Sequence, residues 1–349
     1  MLKAVDFFCG GGGMSLGLSQ AGIKVLAGID NDISVASTYE ANHKASVFLN
    51  HDISEYSPLE LANDLNISKN DDNLIFVGCS PCQYWTLINT DKKKSKKTAF
   101  LLSYFQHFVK FFRPGFVLIE NVPGMSKRRD SPINSFKSSI EDMGYCFSDG
   151  VLDCSDFGVP QKRKRYVLIA SRVCNVNLPV KRKGKPPVLR DAIGDYKYFN
   201  PIPPGTVDFS TKFHSTANLS PLNIKRIKAT PMNGGTRLAW KDNMELQLQT
   251  YIGKDSCFQD VYARLFWDKP SPTITTKFIS YSNGRFGHPE QNRALSIREG
   301  AAIQSFPKGY KIKSNSVTIA ARIIGNAVPP KFARALGKEM LRSQRGNKK

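Results

Sequence analysis

The chain has 349 residues, of which 41% are apolar, and a formal net charge of +21. Its length suffices for a large core and about two domains. No apolar run reaches the roughly 18 residues that a membrane helix needs, and no basic leader precedes a cleavage site, so we expect a cytoplasmic protein without membrane contact. The excess positive charge indicates a polyanionic partner, and nucleic acid is the leading candidate.

The first 170 residues alternate short apolar runs with helical patterns, which predicts a parallel sheet covered by helices. The predicted strands are 3–8, 24–29, 74–77, 116–119 and 166–170, and the predicted helices are 15–21, 34–42, 100–112 and 133–143. Frequent prolines from about residue 178 to 258 indicate a second, loop-rich domain. A final helix over 330–341 has an apolar face and is expected to return to the first domain.

The glycine-rich turn after the first strand is typical of a site where a ligand approaches the backbone. Asp30 lies at the end of the second strand, where a carboxylate can accept hydrogen bonds from ribose hydroxyls, and Asp52 follows near the third strand. These features alone indicate a nucleotide-like cofactor, with an NAD enzyme still open. A tight turn beside two solvated carboxylates is the simpler alternative.

Two predicted strands are followed by chemically active residues, Cys82 after 74–77 and Glu120 after 116–119. Open α/β sheets bind ligands at the carboxyl ends of their strands, so these two side chains are expected to share a crevice. A thiol and a carboxyl together suit attack on an electron-poor ring with protonation of that ring. Taken singly, a buried inert cysteine and a capping carboxylate remain alternatives.

The cysteines are an odd, scattered set of seven, which favours reduced thiols over disulfides. Cys79 and Cys82 have the spacing of redox and zinc sites, but no second pair completes four ligands. We therefore expect no metal site, and a redox enzyme ranks last among the alternatives.

These segments together resemble the DNA cytosine-5 methyltransferase family. Six ordered motifs carry the resemblance: Asp6-Phe7-Phe8-Cys9-Gly10-x-Gly12-Gly13, Pro81-Cys82-Gln83, Glu120-Asn121-Val122, Gln161-x-Arg163-x-Arg165, Pro272-Thr273-Ile274-Thr275 and Gly325-Asn326-x-Val328-Pro329. They leave out about 180–258, where the family places its target recognition domain.

The resemblance implies an α/β fold, with a Rossmann-like S-adenosylmethionine-dependent methyltransferase domain and a smaller loop-rich target recognition domain. The implied boundaries are 1–178 for the catalytic and cofactor-binding domain, 179–275 for target recognition, 276–315 for a hinge and 316–349 for a C-terminal segment that returns to the catalytic domain.

The chemistry implied by the resemblance is methyl transfer to C5 of a cytosine that is flipped out of duplex DNA. Cys82 would add to C6 while Glu120 holds and protonates N3. Arg163 and Arg165 would steady the base carbonyl, a phosphate or the thiolate. The implied cofactor-binding residues are Phe8, Gly10, Gly12, Gly13, Asp30, Asn31, Asp52, Ile53, Pro81, Leu101, Asn326 and Ala327. The candidate DNA contacts are Gln83, Thr236, Arg237 and Lys241.

The implied partners are double-stranded DNA and a separate restriction endonuclease, unless the enzyme acts alone, and we expect a monomer. The loop after Cys82 departs from the family, because Thr86 replaces the usual serine and the common Arg-Gly pair is absent. The RNA-acting branch of the superfamily is an alternative, although its Cys-Phe-Thr tripeptide is not found. A catalytically idle DNA-binding protein is a third, and the intact catalytic motifs argue against it.

Overall fold

The computed structural model describes residues 1–80, 100–127, 131–210 and 212–346. The chain divides by its contacts into two compact units. Unit 1 comprises Met1–Phe157, Lys164–Lys183 and Val328–Lys349, and unit 2 comprises Gly158–Arg163 and Gly184–Ala327. The segment 276–315, which the sequence separates as a hinge, groups with unit 2 in this division.

Unit 1 is built on a seven-stranded sheet. Its strands are β1 (Lys3–Phe7), β2 (Lys24–Ile29), β3 (Val47–Leu49), β4 (Leu74–Gly78), β5 (Phe116–Asn121), β6 (Cys146–Asp153) and β7 (Lys164–Ser171). They lie in the order β3-β2-β1-β4-β5-β7-β6. The first five are parallel to one another, whereas β7 is antiparallel to both β5 and β6.

The described helices number in chain order as follows. Unit 1 contains α1 (Gly13–Ala21), α2 (Ala36–Asn42), α3 (Pro58–Leu65), α4 (Leu101–Phe112), α5 (Gly124–Lys127) and α6 (Pro132–Asp142); unit 2 contains α7 (Leu189–Ile193), α8 (Pro221–Ala229), α9 (Ile297–Ile303) and α10 (Val317–Asn326); α11 (Pro330–Gly346) belongs to unit 1. Within the described ranges, none of them is long and apolar enough to cross a membrane.

The five predicted strands are all present, but the prediction of a wholly parallel sheet is wrong for β7. Strand β6 was missed because its sequence, which contains Ser148, Asp149 and Gly150, has low strand propensity and lies at a sheet edge. Only a short 3₁₀ turn and a loop connect β6 to β7. Without a crossover helix two neighbouring strands pair antiparallel, as these do.

An aromatic cluster packs α4 against the sheet. The ring of Phe7 on β1 lies 5.2 Å from that of Phe76 on β4, and 5.2 and 5.1 Å from Phe105 and Phe108 on α4, all edge-to-face. A Cβ on Gly78 would lie 2.8 Å from the Phe105 ring, so only glycine allows this approach. The cluster therefore fixes the carboxyl ends of β1 and β4.

Helix α11 packs against α1 through a glycine contact. A Cβ on Gly17 would lie 2.4 Å from both the Cβ of Ala333 and the carbonyl oxygen of Pro330. The predicted apolar face of α11, which includes Phe332 and Leu336, is buried. This packing holds α1, and with it the glycine-rich turn that precedes α1.

The described residues of unit 2 form none of the seven β-strands, and buried arginines supply hydrogen bonds in its interior. Its fully buried large side chains include Arg237, Arg264, Arg293 and Arg298. Arg264 alone donates hydrogen bonds to the backbone carbonyls of Ile227, Thr230, His288 and Gln291. A guanidinium has five donors in a planar fork, so a few arginines replace part of the backbone pairing that a sheet would supply.

The ion pair between Arg293 and Glu299 gives a stability prediction. Both side chains are fully buried, with 2.6 Å between Nη2 and Oε1. Burial acts to raise the pKa of Glu299, but the charge and hydrogen bonds of Arg293 outweigh it and lower that pKa to about 2. We expect Arg293→Met to reduce the free energy of unfolding by about 3–5 kcal/mol at pH 7, because an unpaired carboxylate stays buried. Urea unfolding measures the loss.

A second substitution controls for lost packing. Adding Glu299→Leu to Arg293→Met removes the stranded charge, so the double variant should recover most of the lost stability. A double variant that is as unstable as Arg293→Met would contradict this account.

Candidate active site

The predicted site residues of unit 1 lie at one edge of the sheet. The carboxyl-terminal residue of β1, Phe7, is paired with Ile29 of β2 and Gly78 of β4, and Gly78 is in turn paired with Ile119 of β5. The chain order reverses between β1 and β4, and open α/β sheets bind ligands at such a switch point. The strand ends that were expected to form a crevice are therefore neighbours in the sheet.

The glycine-rich turn follows β1 with a left-handed backbone. Phe8, Gly10 and Gly12 have φ angles of +63°, +50° and +80°, and Gly12 caps the start of α1. Nothing lies within 4 Å of a Cβ built on Gly10. The backbone at Gly10 is thus open to a ligand.

Asp30 holds this turn from the neighbouring strand. Its carboxylate accepts hydrogen bonds from the amides of Gly10 and Asp32, each at 2.9 Å. The side-chain amide of Asn31 donates to Asp52 Oδ2 at 3.0 Å. The carboxylates predicted after the second and third strands therefore lie on one hydrogen-bonded rim. Ile53, also predicted, is buried in the core of unit 1.

A buried carboxyl group lies beneath the turn, and the sequence reading gave it no role of its own. Asp6 on β1 is fully buried, and the Ser15 hydroxyl donates to its Oδ2 at 2.6 Å. The hydroxyls of Ser15 and Tyr39 are 3.1 Å apart. Burial raises the pKa of Asp6 to about 7. The contact ties β1 to the first turn of α1. The signal that could have found Asp6 is its position inside the otherwise apolar run of a buried strand.

Glu120 lies near the end of β5, beside the chain that leads to Cys82. Its Oε1 is 2.9 Å from Nε of Arg165, which enters from the antiparallel strand β7. The neighbouring Asn121 donates from Nδ2 to the carbonyl and hydroxyl oxygens of Ser80, both at 3.4 Å. Ser80 is the last described residue before Cys82, so the end of β5 contacts the chain two positions before the expected nucleophile.

Some predicted residues cannot be placed. Cys82, Pro81 and Gln83 lie outside the described residues, which stop at Ser80 and resume at residue 100. Leu101, predicted to contact the cofactor, begins α4 and packs partly buried against the core.

Arg163 and Arg165 do not share one set of contacts, although their two-residue spacing suggested a common face. Arg163 is buried in unit 2, where its guanidinium donates to the carbonyls of Ile274, Gly325 and Ala327 at 2.8, 3.2 and 3.3 Å. The guanidinium of Arg163 is therefore held by backbone carbonyls. Its assignment to the base carbonyl, a phosphate or the thiolate stays a prediction. Asn326 and Ala327 end α10, with Asn326 exposed.

The predicted DNA contact of Arg237 is corrected. Its side chain is fully buried, donates to the carbonyls of Lys254 and Cys257 at 2.7 and 2.8 Å, and stacks over Tyr251 at 4.7 Å. Thr236 caps a short 3₁₀ helix by accepting a hydrogen bond from the amide of Leu238. Lys241 is exposed, with Nζ 3.3 Å from Asp255.

One family of known enzymes matches almost the whole chain. The model of the C-5 cytosine-specific DNA methylase family matches residues 2–342. The chain belongs to this family. Its methylase relatives include the type II methylase M.HgiDII of Herpetosiphon aurantiacus, 35% identical over 98% of this chain and 96% of that protein. The type II methyltransferase M.MthTI of Methanothermobacter thermautotrophicus is 30% identical over 99% of this chain and 98% of that protein.

Solved structures of low identity confirm the predicted fold of the methylase. A crystal structure described as a prophage-encoded DNA modification methyltransferase (E. coli) superposes with a TM-score of 0.76 at 20% identity, covering 99% of this chain and 100% of that one. A mutant of DNMT2 from Spodoptera frugiperda gives a TM-score of 0.62 at 20% identity, over 98% of this chain and 99% of that one. The methylase therefore has the Rossmann-like α/β architecture expected from its motifs, and it is a DNA (cytosine-5) methyltransferase.

Proposed function

We propose that this methylase modifies C5 of a cytosine in a short specific sequence of duplex DNA through a covalent bond between Cys82 and C6. The observation that carries the proposal is the contact between Asn121 and Ser80. It sets Glu120 beside the chain that leads to Cys82. A nucleophile and an acid that start from adjacent strand ends can act on one ring.

Cys82 and Glu120 have different roles in the proposed reaction. The Cys82 thiolate forms an S–C6 bond, the C5=C6 electron pair shifts to form C4=C5, and the C4=N3 pair moves to N3, which Glu120 protonates. C5 becomes nucleophilic and would bond to the methyl carbon of a sulfonium donor, whose carbon–sulfur bond breaks and leaves a neutral thioether. A base then removes the C5 proton, the S–C6 bond breaks, and the N3 proton returns to Glu120. The Arg165 guanidinium, whose Nε lies 2.9 Å from Oε1, keeps the Glu120 carboxyl group oriented.

The methyl donor in this proposal is S-adenosylmethionine, which supplies an electrophilic methyl group when bound. The described residues fit it, because the backbone at Gly10 is open and the carboxylates of Asp30 and Asp52 share a rim. Phe8 would stack on the adenine and Asp30 would bind the ribose. The remaining residues assigned to the cofactor are Gly12, Gly13, Asn31, Ile53, Pro81, Leu101, Asn326 and Ala327.

Asp30→Ala tests this assignment. We expect the Kd for S-adenosylmethionine to rise about 10- to 150-fold, because hydrogen bonds to a carboxylate contribute about 1.5–3 kcal/mol. Asp32→Ala is the matched control: Asp32 is also a carboxylate, but it caps a 3₁₀ helix through Ser34. Equilibrium dialysis should show an unchanged Kd for the control. Equal Kd values for the two variants would contradict the ribose assignment.

The DNA side of the proposal rests on charge and on unit 2. A cytosine inside a duplex is out of reach, so the base must be flipped out. The net charge of +21 favours a polyanion, and unit 2 is proposed as the target recognition domain, with Thr236 and Lys241 as candidate DNA contacts. By analogy with its type II relatives, the enzyme either protects DNA sites against a separate restriction endonuclease or acts without one. It is proposed to be a monomer.

The proposed activity is tested by bisulfite sequencing of plasmid DNA from cells that express the methylase. We expect protected cytosines at one short sequence and none in cells with an empty vector. Purified enzyme should transfer labelled methyl groups to duplex DNA and not to tRNA. Labelled tRNA with unlabelled DNA would contradict the DNA assignment.

A further inference from the structure

Three polar side chains converge in the interior of unit 2, and two of them, Gln161 and Gln304, have no part in the proposed chemistry. Gln161, Arg163 and Gln304 are all buried, although they come from distant parts of the chain. Nε2 of Gln161 donates to Oε1 of Gln304 at 2.8 Å. Buried amides and guanidinium groups are costly unless hydrogen-bonded, so such a cluster has a definite set of partners.

Those partners are backbone groups at the end of α10. Nε2 of Gln304 donates to the carbonyl of Ile324 at 2.9 Å and to that of Ala327 at 3.4 Å. Arg163 donates to the carbonyls of Gly325 and Ala327. The last carbonyls of a helix have no intrahelical donor, and here side chains supply donors.

The same cluster fixes the segment that packs against this helix end. Oε1 of Gln161 accepts from the amide of Ile274 at 2.8 Å, and Nη1 of Arg163 donates to the carbonyl of Ile274 at 2.8 Å. A Cβ on Gly325 would lie 2.5 Å from the backbone of Thr275. The helix end and the 273–276 segment are therefore locked in one arrangement.

Asn326 sits between the carbonyls that the cluster holds. Its own side chain is exposed, while the carbonyls of Gly325 before it and Ala327 after it are bound inside unit 2. The backbone on both sides of Asn326 is consequently held by donors from Arg163 and Gln304. Gln304 belongs to none of the six motifs, and it ends α9 as its C-terminal cap.

We propose that Gln304 is a positioning residue for cofactor binding, acting through the carbonyls of Ile324 and Ala327 on Asn326. The inference rests on the proposed function, which assigns Asn326 to S-adenosylmethionine. Gln304 itself touches no substrate or cofactor in this account. Only an amide can serve there, because the side chain both accepts from Gln161 and donates to carbonyls.

The test is equilibrium binding of S-adenosylmethionine to the full-length enzyme without DNA. Gln304→Met keeps the volume but loses the donor and the acceptor, and it removes one of two donors from each of the carbonyls of Ile324 and Ala327. We expect the Kd to rise about 10- to 100-fold, with kcat at saturating cofactor within about threefold of the parent and DNA affinity unchanged. Gln304→Asn, which retains an amide on a shorter chain, should give a smaller rise and serves if the methionine variant does not fold.

A matched control separates positioning from general loss of stability. Thr230 is buried in the same unit and bonds to Tyr281, Trp240 and the carbonyl of Arg226, away from Asn326. Thr230→Val should lower Tm by a similar amount and leave the cofactor Kd unchanged. Kd changes that follow Tm equally in the two variants would overturn the inference.

Asn326→Ala distinguishes the inference from the function on which it rests. If Asn326→Ala weakens binding and folded Gln304 variants do not, the positioning role is wrong while the cofactor assignment stands. If neither Asn326→Ala nor Gln304→Met changes the Kd, the assignment of Asn326 fails and the inference fails with it. Weakening by both substitutions, with Thr230→Val unchanged, is the result we expect.

Discussion

Replacing Cys82 with alanine is expected to reduce cytosine methylation by at least about 10⁴-fold, because loss of the nucleophile removes the covalent route entirely. Cytosine C5 is a poor nucleophile until sulfur adds at C6. The cofactor and DNA contacts are made by other residues, so both Kd values should stay within about threefold of the parent. Single-turnover transfer of a labelled methyl group measures the effect.

Cys79→Ala is the matched control for this substitution. Cys79 is a half-buried cysteine three positions earlier in the same segment. We expect its loss to leave methylation within a few-fold of the parent. Substantial methylation by Cys82→Ala, or equal losses in both variants, would contradict the assignment of Cys82.

Glu120→Gln is expected to lower kcat by about 10²- to 10⁴-fold, the range for loss of a general acid. Glutamine keeps the shape of the side chain but cannot transfer a proton to N3. The protein should remain folded, because Glu120 is neighboured by the Asn121 hydrogen bonds to Ser80, which the substitution leaves in place. The pre-steady-state rate of methyl transfer is the appropriate measurement, since product release can conceal chemistry in kcat.

A double-mutant cycle then tests how Arg165 acts. Its Nε is 2.9 Å from Glu120 Oε1, so Arg165→Ala should misplace the carboxyl group and slow the reaction less than Glu120→Gln does. If Arg165 acts through Glu120, the double variant should be about as slow as Glu120→Gln alone. Fully additive losses would indicate that Arg165 acts on the substrate independently.

The positions of the site residues that follow the strands could be predicted, because the ends of buried strands can be recognised in the sequence. Fully apolar runs mark buried parallel strands, and residues just after them lie at the ligand-binding edge. Glu120, Asp30 and Gly10 lie there in the structure. The partner of Glu120 was not predictable in the same way, because Arg165 reaches it only through the antiparallel pairing of β7 with β5.

Unit 2 contains residues whose roles could not be predicted from the sequence. Arginine in a basic, loop-rich segment suggests contact with DNA, yet Arg237 is buried and donates to backbone carbonyls. The amino-acid composition gives the number of charged residues but does not show which of them are exposed to solvent. Gln304 was missed for a related reason: one glutamine at a helix end has no pattern, and its partners lie 20 to 143 positions away.

The covalent step is tested most directly by trapping on duplex DNA that contains 5-fluorocytosine at the mapped target position. Fluorine at C5 cannot leave as a proton does, so the enzyme should remain bonded to DNA after methyl transfer. We predict a denaturation-resistant complex that requires S-adenosylmethionine, with peptide mass mapping that places the adduct on Cys82. Active enzyme that forms no such complex, or an adduct on another residue, would contradict the proposed mechanism.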